Sequence, residues 1–191
     1  MEIAKKYNLY VVEDCAHTPG AEYKGRKAGT IGDFGVFSFH SQKNITTLGE
    51  GGMITTNNDK YAELIPLLRS MNVERYADQK DYWLPYHYDV LDINGEVGNN
   101  FRMSEVQAAV GIAQLKKLNK LNEMRRKVAK RLSNALGNIP GVIVPYENPD
   151  CKHVYHLYPV LIDQAQEKFK QSRDRLEKIV NETPWLAEHL P

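Results

Sequence analysis

The stretch "LYVVEDCAH", residues 9–17, constrains the fold more than any other part of the chain. It is a short apolar run that turns acidic at Glu13 and Asp14. A run with no apolar–polar alternation reads as a buried strand of a parallel sheet, and the change to carboxylates marks its carboxyl end. In open α/β sheets the functional side chains gather at that end, so Asp14 stands where chemistry is expected.

The elements that follow fit an α/β chain. "TPGAEYKGRKAGTIGD" is dense in glycine and turn formers, and "FGVFSFH" and "GGMITTN" read as short strands flanking a tight connection that carries Lys43. "KYAELIPLLRSM" has apolar residues at helical spacing. From Asn72 to Asn100 the chain reads as a long aromatic loop containing "DYWLPYHYDV", a lid or an interface arm. A long helix then opens at Ser104, which with Gln107 forms a capping-box signature, and Gly137 stops it. Val106, Val110, Ala113, Leu121, Met124, Val128 and Leu132 are expected to form its apolar stripe, with a shift of phase in the middle. Lys116, Lys117, Lys120, Arg125, Arg126, Lys127, Lys130 and Arg131 are expected on a solvated face. No aromatic stacking residues or nucleic-acid motif accompany them. "GVIVPY" and "HLYPVLI" read as strands of a second, smaller α/β unit with "DQAQEKFKQSRDRLEKIV" as its helix. The expected division is residues 1–103, the C-terminal part of a large domain; 104–136, a connecting helix; and 137–191, part of a small domain.

Bulk properties narrow the function classes. The 191 residues are 42% hydrophobic and 26% charged, with a formal net charge of +1, which favours neither nucleic acid nor an anionic membrane as partner. No apolar run reaches the roughly 20 residues of a membrane span, and the first residues lack a signal-peptide pattern, so a cytoplasmic protein is expected. Cys15 and Cys151 form neither a CxxC nor a disulfide framework and are expected as reduced thiols, and no metal site is expected.

Lys43 raises the chemical question. A surface lysine needs no fixed address, whereas a lysine that reacts with an aldehyde does. Ser38, five residues earlier, carries a hydroxyl suited to a phosphate oxygen. Asp14 is suited to keeping a pyridine nitrogen protonated, so that the ring drains electrons from an attached carbanion. Asn100 and Arg102 precede a helix start, a place suited to anions. Lysine, acid and anion donors together point to pyridoxal 5′-phosphate (PLP).

In combination, "VVEDCAHTPGAEYKGRKAGTIGDFGVFSFHSQKNITTLGEGGMITTN" and "NNFRMSEVQAAVGIAQLKKL" resemble the DegT/StrS family of PLP-dependent sugar aminotransferases, of the aspartate aminotransferase-like fold type I. The resemblance runs from Met1 to Leu118 and fades through "HVYHLYPV" and "SRDRLEKIV". It implies that Lys43 is the lysine that forms the imine with PLP, Asp14 the partner of the pyridine nitrogen, and Ala16 a residue packed on the ring. It implies that His17 serves the phenolic oxygen or a neighbouring group, and that Ser38 binds the phosphate. Asn100 and Arg102 match the family's Asn-aromatic-Arg-Met motif, which reaches the site of a neighbouring subunit, so a homodimer is expected. The implied reaction carries an amino group from an amino acid, glutamate or glutamine, to a keto-sugar, usually nucleotide-linked. Family dehydratases carry histidine in place of the lysine, so Lys43 favours transamination.

The chain departs from the family in length. Family members are about twice as long, and the upstream half of the large domain, with its phosphate-binding turn and ring-stacking aromatic, has no counterpart here. Most of the small domain is likewise expected to be missing. Two classes therefore stand: an enzyme or its catalytic-lysine part, completed by a partner chain carrying the upstream region, and a non-catalytic remnant or binding module that cannot hold PLP alone. A parallel sheet without its first strands is expected to expose apolar surface. "NVERYADQKDYWLPYHYDVLDING" and "NETPWLAEHLP" depart from the family pattern, and Trp83 and His87 are left out of the site.

Overall fold

A computed structural model describes residues 1–73, 90–163 and 169–182. In chain order the elements are α1 (Glu2–Tyr7), β1 (Val12–Asp14), β2 (Glu22–Tyr23), β3 (Arg26–Lys27), β4 (Phe34–Ser38), β5 (Gly52–Thr55), α2 (Asp59–Arg69), α3 (Glu105–Leu136), β6 (Val142–Ile143), β7 (Cys151–Lys152), β8 (Leu161–Ile162) and α4 (Phe169–Glu182). Trp83, His87 and the last nine residues, 183–191, lie outside the described residues, as does most of the aromatic loop.

The sheet that carries the site has the order β1-β4-β5. β1 runs parallel to β4 with Asp14 opposite Val36, and β4 runs antiparallel to β5 with Ser38 opposite Gly52. The parallel pairing expected of "LYVVEDCAH" is present, but its burial is not: Leu9, Tyr10 and Val12 are 58%, 70% and 61% exposed. Among the described residues β1 is an edge strand with β4 as its sole sheet neighbour, and a parallel strand becomes buried only when layers cover both faces.

Side chains alternate along β1, and its two carboxylates part company. Glu13 turns into the glycine-rich connection, accepting backbone N–H bonds from Gly29 (2.9 Å), Ile31 (2.6 Å) and Gly32 (2.7 Å). This single carboxylate replaces the hydrogen bonds that the turn-rich segment cannot make to itself. Burial pushes the Glu13 carboxyl up, but the three N–H donors and the Arg26 charge outweigh it and hold the group below its ordinary value.

Part of that connection is a β-hairpin that its turn composition concealed. Lys24 and Gly25 both have positive φ (49° and 74°), as a two-residue type I′ turn requires, and β2 and β3 pair across them. β2 also pairs with β7, tying the loop after β1 to the distant segment around His153.

The long helix α3 starts at Ser104 with the expected reciprocal capping box to Gln107. Gly137 is its C-cap but has αR geometry (φ −63°, ψ −16°), so no left-handed residue is needed there. The expected apolar stripe is only partly covered: Val110, Leu121, Val128 and Leu132 are half-buried. Val106, Ala113 and Met124 are exposed, and the buried positions are Gly111, Asn122, Ala129 and Leu136. Small and amide side chains take that stripe because α3 lies close against the backbone of two loops, where bulk would hold it off. Arg125 and Arg126 are half-buried rather than solvated, while the helix lysines are exposed as expected. Past α3, the antiparallel pair β6–β8 and α4 enclose a core of Leu136, Ile139 and Val142, with Leu132, Val160, Leu176 and Ile179 packed against it.

Glu13→Gln should cost about 1–3 kcal/mol at pH 7, because three enclosed N–H groups lose a charged acceptor. Because the folded-state pKa of Glu13 lies below its unfolded value of about 4.3, the carboxylate's stabilisation is complete above that pH and is lost as pH falls through the folded value. Urea midpoints should therefore drop less on acidification in the variant than in the natural chain. Parallel curves would refute this role.

Candidate active site

Lys43 sits in the loop of residues 39–51 between β4 and β5, and backbone bonds stitch that loop closed. Phe39 N–H donates to Gly51 O (2.8 Å), Thr47 N–H to Phe39 O (3.1 Å), Ser41 N–H to Gly49 O (2.8 Å) and Lys43 N–H to His40 O (3.0 Å). Phe39, Asn44, Ile45 and Thr47 are buried, which anchors the loop on both sides of the lysine. The glycines after it serve that packing. A Cβ at Gly51 would stand 2.0 Å from Thr47 Oγ1.

Helix α3 grips the same loop along its length. Gln107 Nε2 donates to Glu50 O (3.0 Å), Gly111 packs on Thr47, and Arg125 donates to Asn44 O (3.1 Å). Asn122 is 5% exposed and joins two loops: its Nδ2 donates to Pro19 O (2.9 Å) and its Oδ1 accepts from Asn44 Nδ2 (3.4 Å). Gly20, at φ 86°, admits this approach, since a Cβ there would lie 2.6 Å from Asn122 Nδ2. The loop that follows Asp14 and the loop that carries Lys43 are thus pinned to one side chain.

The result is a defined address for the lysine. Lys43 Nζ lies 2.8 Å from His17 Nε2, and among the described residues it forms no ion pair. Asp14, at the carboxyl end of β1, is exposed, its Oδ1 accepting from Ala16 N–H (3.0 Å). Ser38 closes β4 with its Oγ accepting from His40 N–H (3.3 Å), so its hydroxyl proton remains to be donated. Asp14, Ala16, His17, Ser38 and Lys43 therefore share the carboxyl edge of the β1–β4 pair. An amine without a carboxylate partner among the described residues, an exposed acid and a hydroxyl donor are part of the donor set that PLP requires, and to that extent the residues present fit the cofactor.

Asn100 and Arg102 behave differently. Both are exposed, with Arg102 Nε donating to Asn100 Oδ1 (3.0 Å), and Phe101 between them is 74% exposed. The Phe101 N–H bond to Arg69 O and the Ser70–Asn100 bridge hold the segment on the end of α2. They are presented outward rather than gathered around Lys43.

Sequence reasoning missed three contributors. His156 stacks on His17 with ring centroids 4.2 Å apart. Arg125 is half-buried without a carboxylate partner among the described residues, and burial lowers its pKa. Arg126 forms a two-pronged pair with Glu147 and donates to His153 O (2.7 Å), fixing the segment that holds His156. One signal was available in Asn122, Arg125 and Arg126, which interrupt the helical phase of Leu118, Ala129 and Leu136 with polar side chains.

The sequence profile of the DegT/DnrJ/EryC1/StrS aminotransferase family matches residues 1–185. An uncharacterized protein of Methanocaldococcus jannaschii is 42% identical over 179 residues, which cover 91% of this chain and 44% of that protein. GDP-perosamine synthase of Caulobacter vibrioides is 37% identical over 166 residues, 86% of this chain and 41% of the synthase. Helicobacter pylori PseC, an aminotransferase involved in the biosynthesis of pseudoaminic acid, superposes with a TM-score of 0.74 at 30% identity, covering 95% of this chain and 45% of PseC. The chain thus spans less than half the length of the relatives it matches.

Asn122→Leu removes both bonds while keeping volume, and should cost about 2–4 kcal/mol through the polar groups left without partners. Hydrogen exchange should accelerate together in residues 17–20 and 39–51. Acceleration in one loop alone would show that the two are not pinned through Asn122.

Proposed function

The chain belongs to the DegT/DnrJ/EryC1/StrS aminotransferase family, and from that membership we propose that it supplies the lysine-bearing part of a PLP-dependent sugar aminotransferase. In this reading an amino group moves from an amino acid, glutamate or glutamine, to a keto-sugar, most plainly a nucleotide-linked one. The observation that carries it is the Lys43 amine, 2.8 Å from His17 Nε2 at the carboxyl edge of the β1–β4 pair that Asp14 and Ser38 also close. Support for the sugar substrate comes from the named activities of GDP-perosamine synthase and PseC. The corresponding division of labour assigns residues 1–103 to the cofactor-binding large domain, 104–136 to a connecting helix and 137–191 to part of a small domain.

When bound, PLP supplies an electron sink for a carbanion formed next to the transferred nitrogen. Lys43 would hold its aldehyde carbon, Asp14 its ring nitrogen, Ser38 its phosphate, and Ala16 would pack on the ring. The chain's own proton chemistry follows from the contact already described. Lys43 Nζ donates an N–H to His17 Nε2 when that nitrogen is the acceptor of the 2.8 Å contact, which holds and orients the amine. So oriented, Nζ would serve as the base that accepts a proton and returns it to a neighbouring atom. Asp14, at the exposed end of β1, would hold a proton on the cofactor's ring nitrogen through a charge-assisted hydrogen bond.

Asn100 and Arg102 complete, in this reading, the site of a second subunit. Their outward presentation supports it, because both side chains are exposed and the guanidinium is held by its Nε bond to Asn100 Oδ1.

Borohydride treatment of the PLP-loaded assembly, followed by peptide mapping, should label Lys43 alone. Labelling spread over surface lysines, with Lys43 unmodified, would refute the assignment. Asp14→Asn should lower the rate of the glutamate half-reaction by roughly 10²-fold or more while changing cofactor affinity much less. Co-expressing a Lys43→Ala chain with an Arg102→Ala chain should restore part of the activity that neither homodimer has. Absence of any restoration would place Asn100 and Arg102 outside a shared site.

A further inference from the structure

The cleft at His17 is lined by three imidazoles, those of His17, His153 and His156, together with Thr18, Ala21 and Val154. The rings of His17 and His156 lie 4.2 Å apart at an interplanar angle of 34°. The two histidines come from sequence regions 139 positions apart, so the meeting is a product of the fold.

Several contacts fix the backbone around His156. β7 pairs with β2, Arg126 donates to His153 O, Val154 is 2% exposed, and the hydroxyls of Ser133 and Tyr158 are 2.7 Å apart. Between Val154 and His156 the chain turns through Tyr155 at φ 47°, a left-handed conformation that a bulky residue adopts only when its surroundings impose it. The Tyr155 N–H donates to His153 Nδ1 (2.9 Å), and its ring packs edge-on against that of His153. The turn that delivers His156 is therefore held from both sides.

His17 needs such a neighbour. Among the described residues its ring is held by the Lys43 amine at Nε2 and by the face of His156. One hydrogen bond fixes the position of a single nitrogen and leaves the ring free to rock about it. A stacked ring removes that freedom. Burial, then the charges of His17, Lys43 and Arg125, lower the pKa of His156, so it stacks as a neutral ring without opposing a proton on His17.

We propose that His156 is a positioning residue: by stacking on His17 it fixes that imidazole with Nε2 toward the Lys43 amine and its own proton on Nδ1. The bearing of this on catalysis rests on the reading of Lys43 as the reactive lysine; the geometry does not. A fixed acceptor holds the Lys43 amine in one direction, whereas a rocking ring would let it turn away.

Imidazole ¹⁵N spectra of the full chain, with ¹⁵N-labelled histidine and His17→Gln for assignment, test the inference without cofactor. In the natural chain His17 should carry its proton on Nδ1, because the other nitrogen accepts from a cation. His156→Ala should move the tautomer ratio toward Nε2–H by about tenfold, the scale set by losing a hydrogen bond to a charged group. His156→Phe, which keeps an aromatic face, should retain the natural ratio. Should His156→Ala not fold, His156→Gln makes the same comparison, with bulk but no ring face. An Nε2–H tautomer in the natural chain, an unchanged ratio in the alanine or glutamine variant, or a phenylalanine variant that behaves like alanine would each overturn the inference. Borohydride trapping with PLP on the same samples separates the two questions: failure to label Lys43 with the tautomer pattern intact overturns the functional reading alone.

Discussion

One buried amide organises the site. Asn122, in the middle of a 32-residue helix, binds the carbonyl of Pro19 with one atom and the side chain of Asn44 with the other. Pro19 follows His17 by two residues and Asn44 follows Lys43 by one, so the 2.8 Å contact between lysine and imidazole depends on a side chain that touches neither. A buried polar group is costly unless satisfied, and here both amide atoms have partners. The same requirement explains why small residues and an amide occupy the buried stripe of α3: the helix must come within hydrogen-bonding distance of two loop backbones.

Electrostatics divide along the first strand by the same geometric logic. Glu13 and Asp14 are adjacent and chemically alike, and strand alternation sends them to opposite faces. Glu13 is saturated by three N–H donors and serves the glycine-rich connection. Asp14 keeps its carboxylate largely free. Further along, Lys43, Arg125, His17 and His156 form a cationic recess in which Lys43 and Arg125 have no carboxylate partner among the described residues. A recess of this kind stabilises anions. Neutral His156 limits the repulsion inside it.

Much of this was legible in sequence because it depends on local pattern. The strand that ends in Asp14, the strands around Lys43, and the Ser104–Gln107 cap each rest on a few consecutive residues whose physics the surroundings do not reverse. The β2–β3 hairpin was concealed, since "YKGR" reads as a turn and two-residue strands leave no periodicity. The stripe on α3 was placed only in part, for a different reason. Hydrophobic periodicity finds the face that avoids water, whereas the face α3 buries is chosen by closeness of approach, and Val106 and Met124 stay exposed at 66% and 54%. Burial of β1 was overestimated likewise, because an apolar strand is covered only where other layers meet it.

The sequence by itself determined the class of fold and the family and singled out the candidate reactive groups, since these follow from residue types at fixed short spacings. Tertiary structure alone decided which nitrogen faces the lysine, which of two neighbouring carboxylates stays free, and that a histidine 139 positions further on lies against His17. Those outcomes depend on distances between segments that never adjoin in the chain, and such distances are set by the packing of α3 and the pairing of β2 with β7.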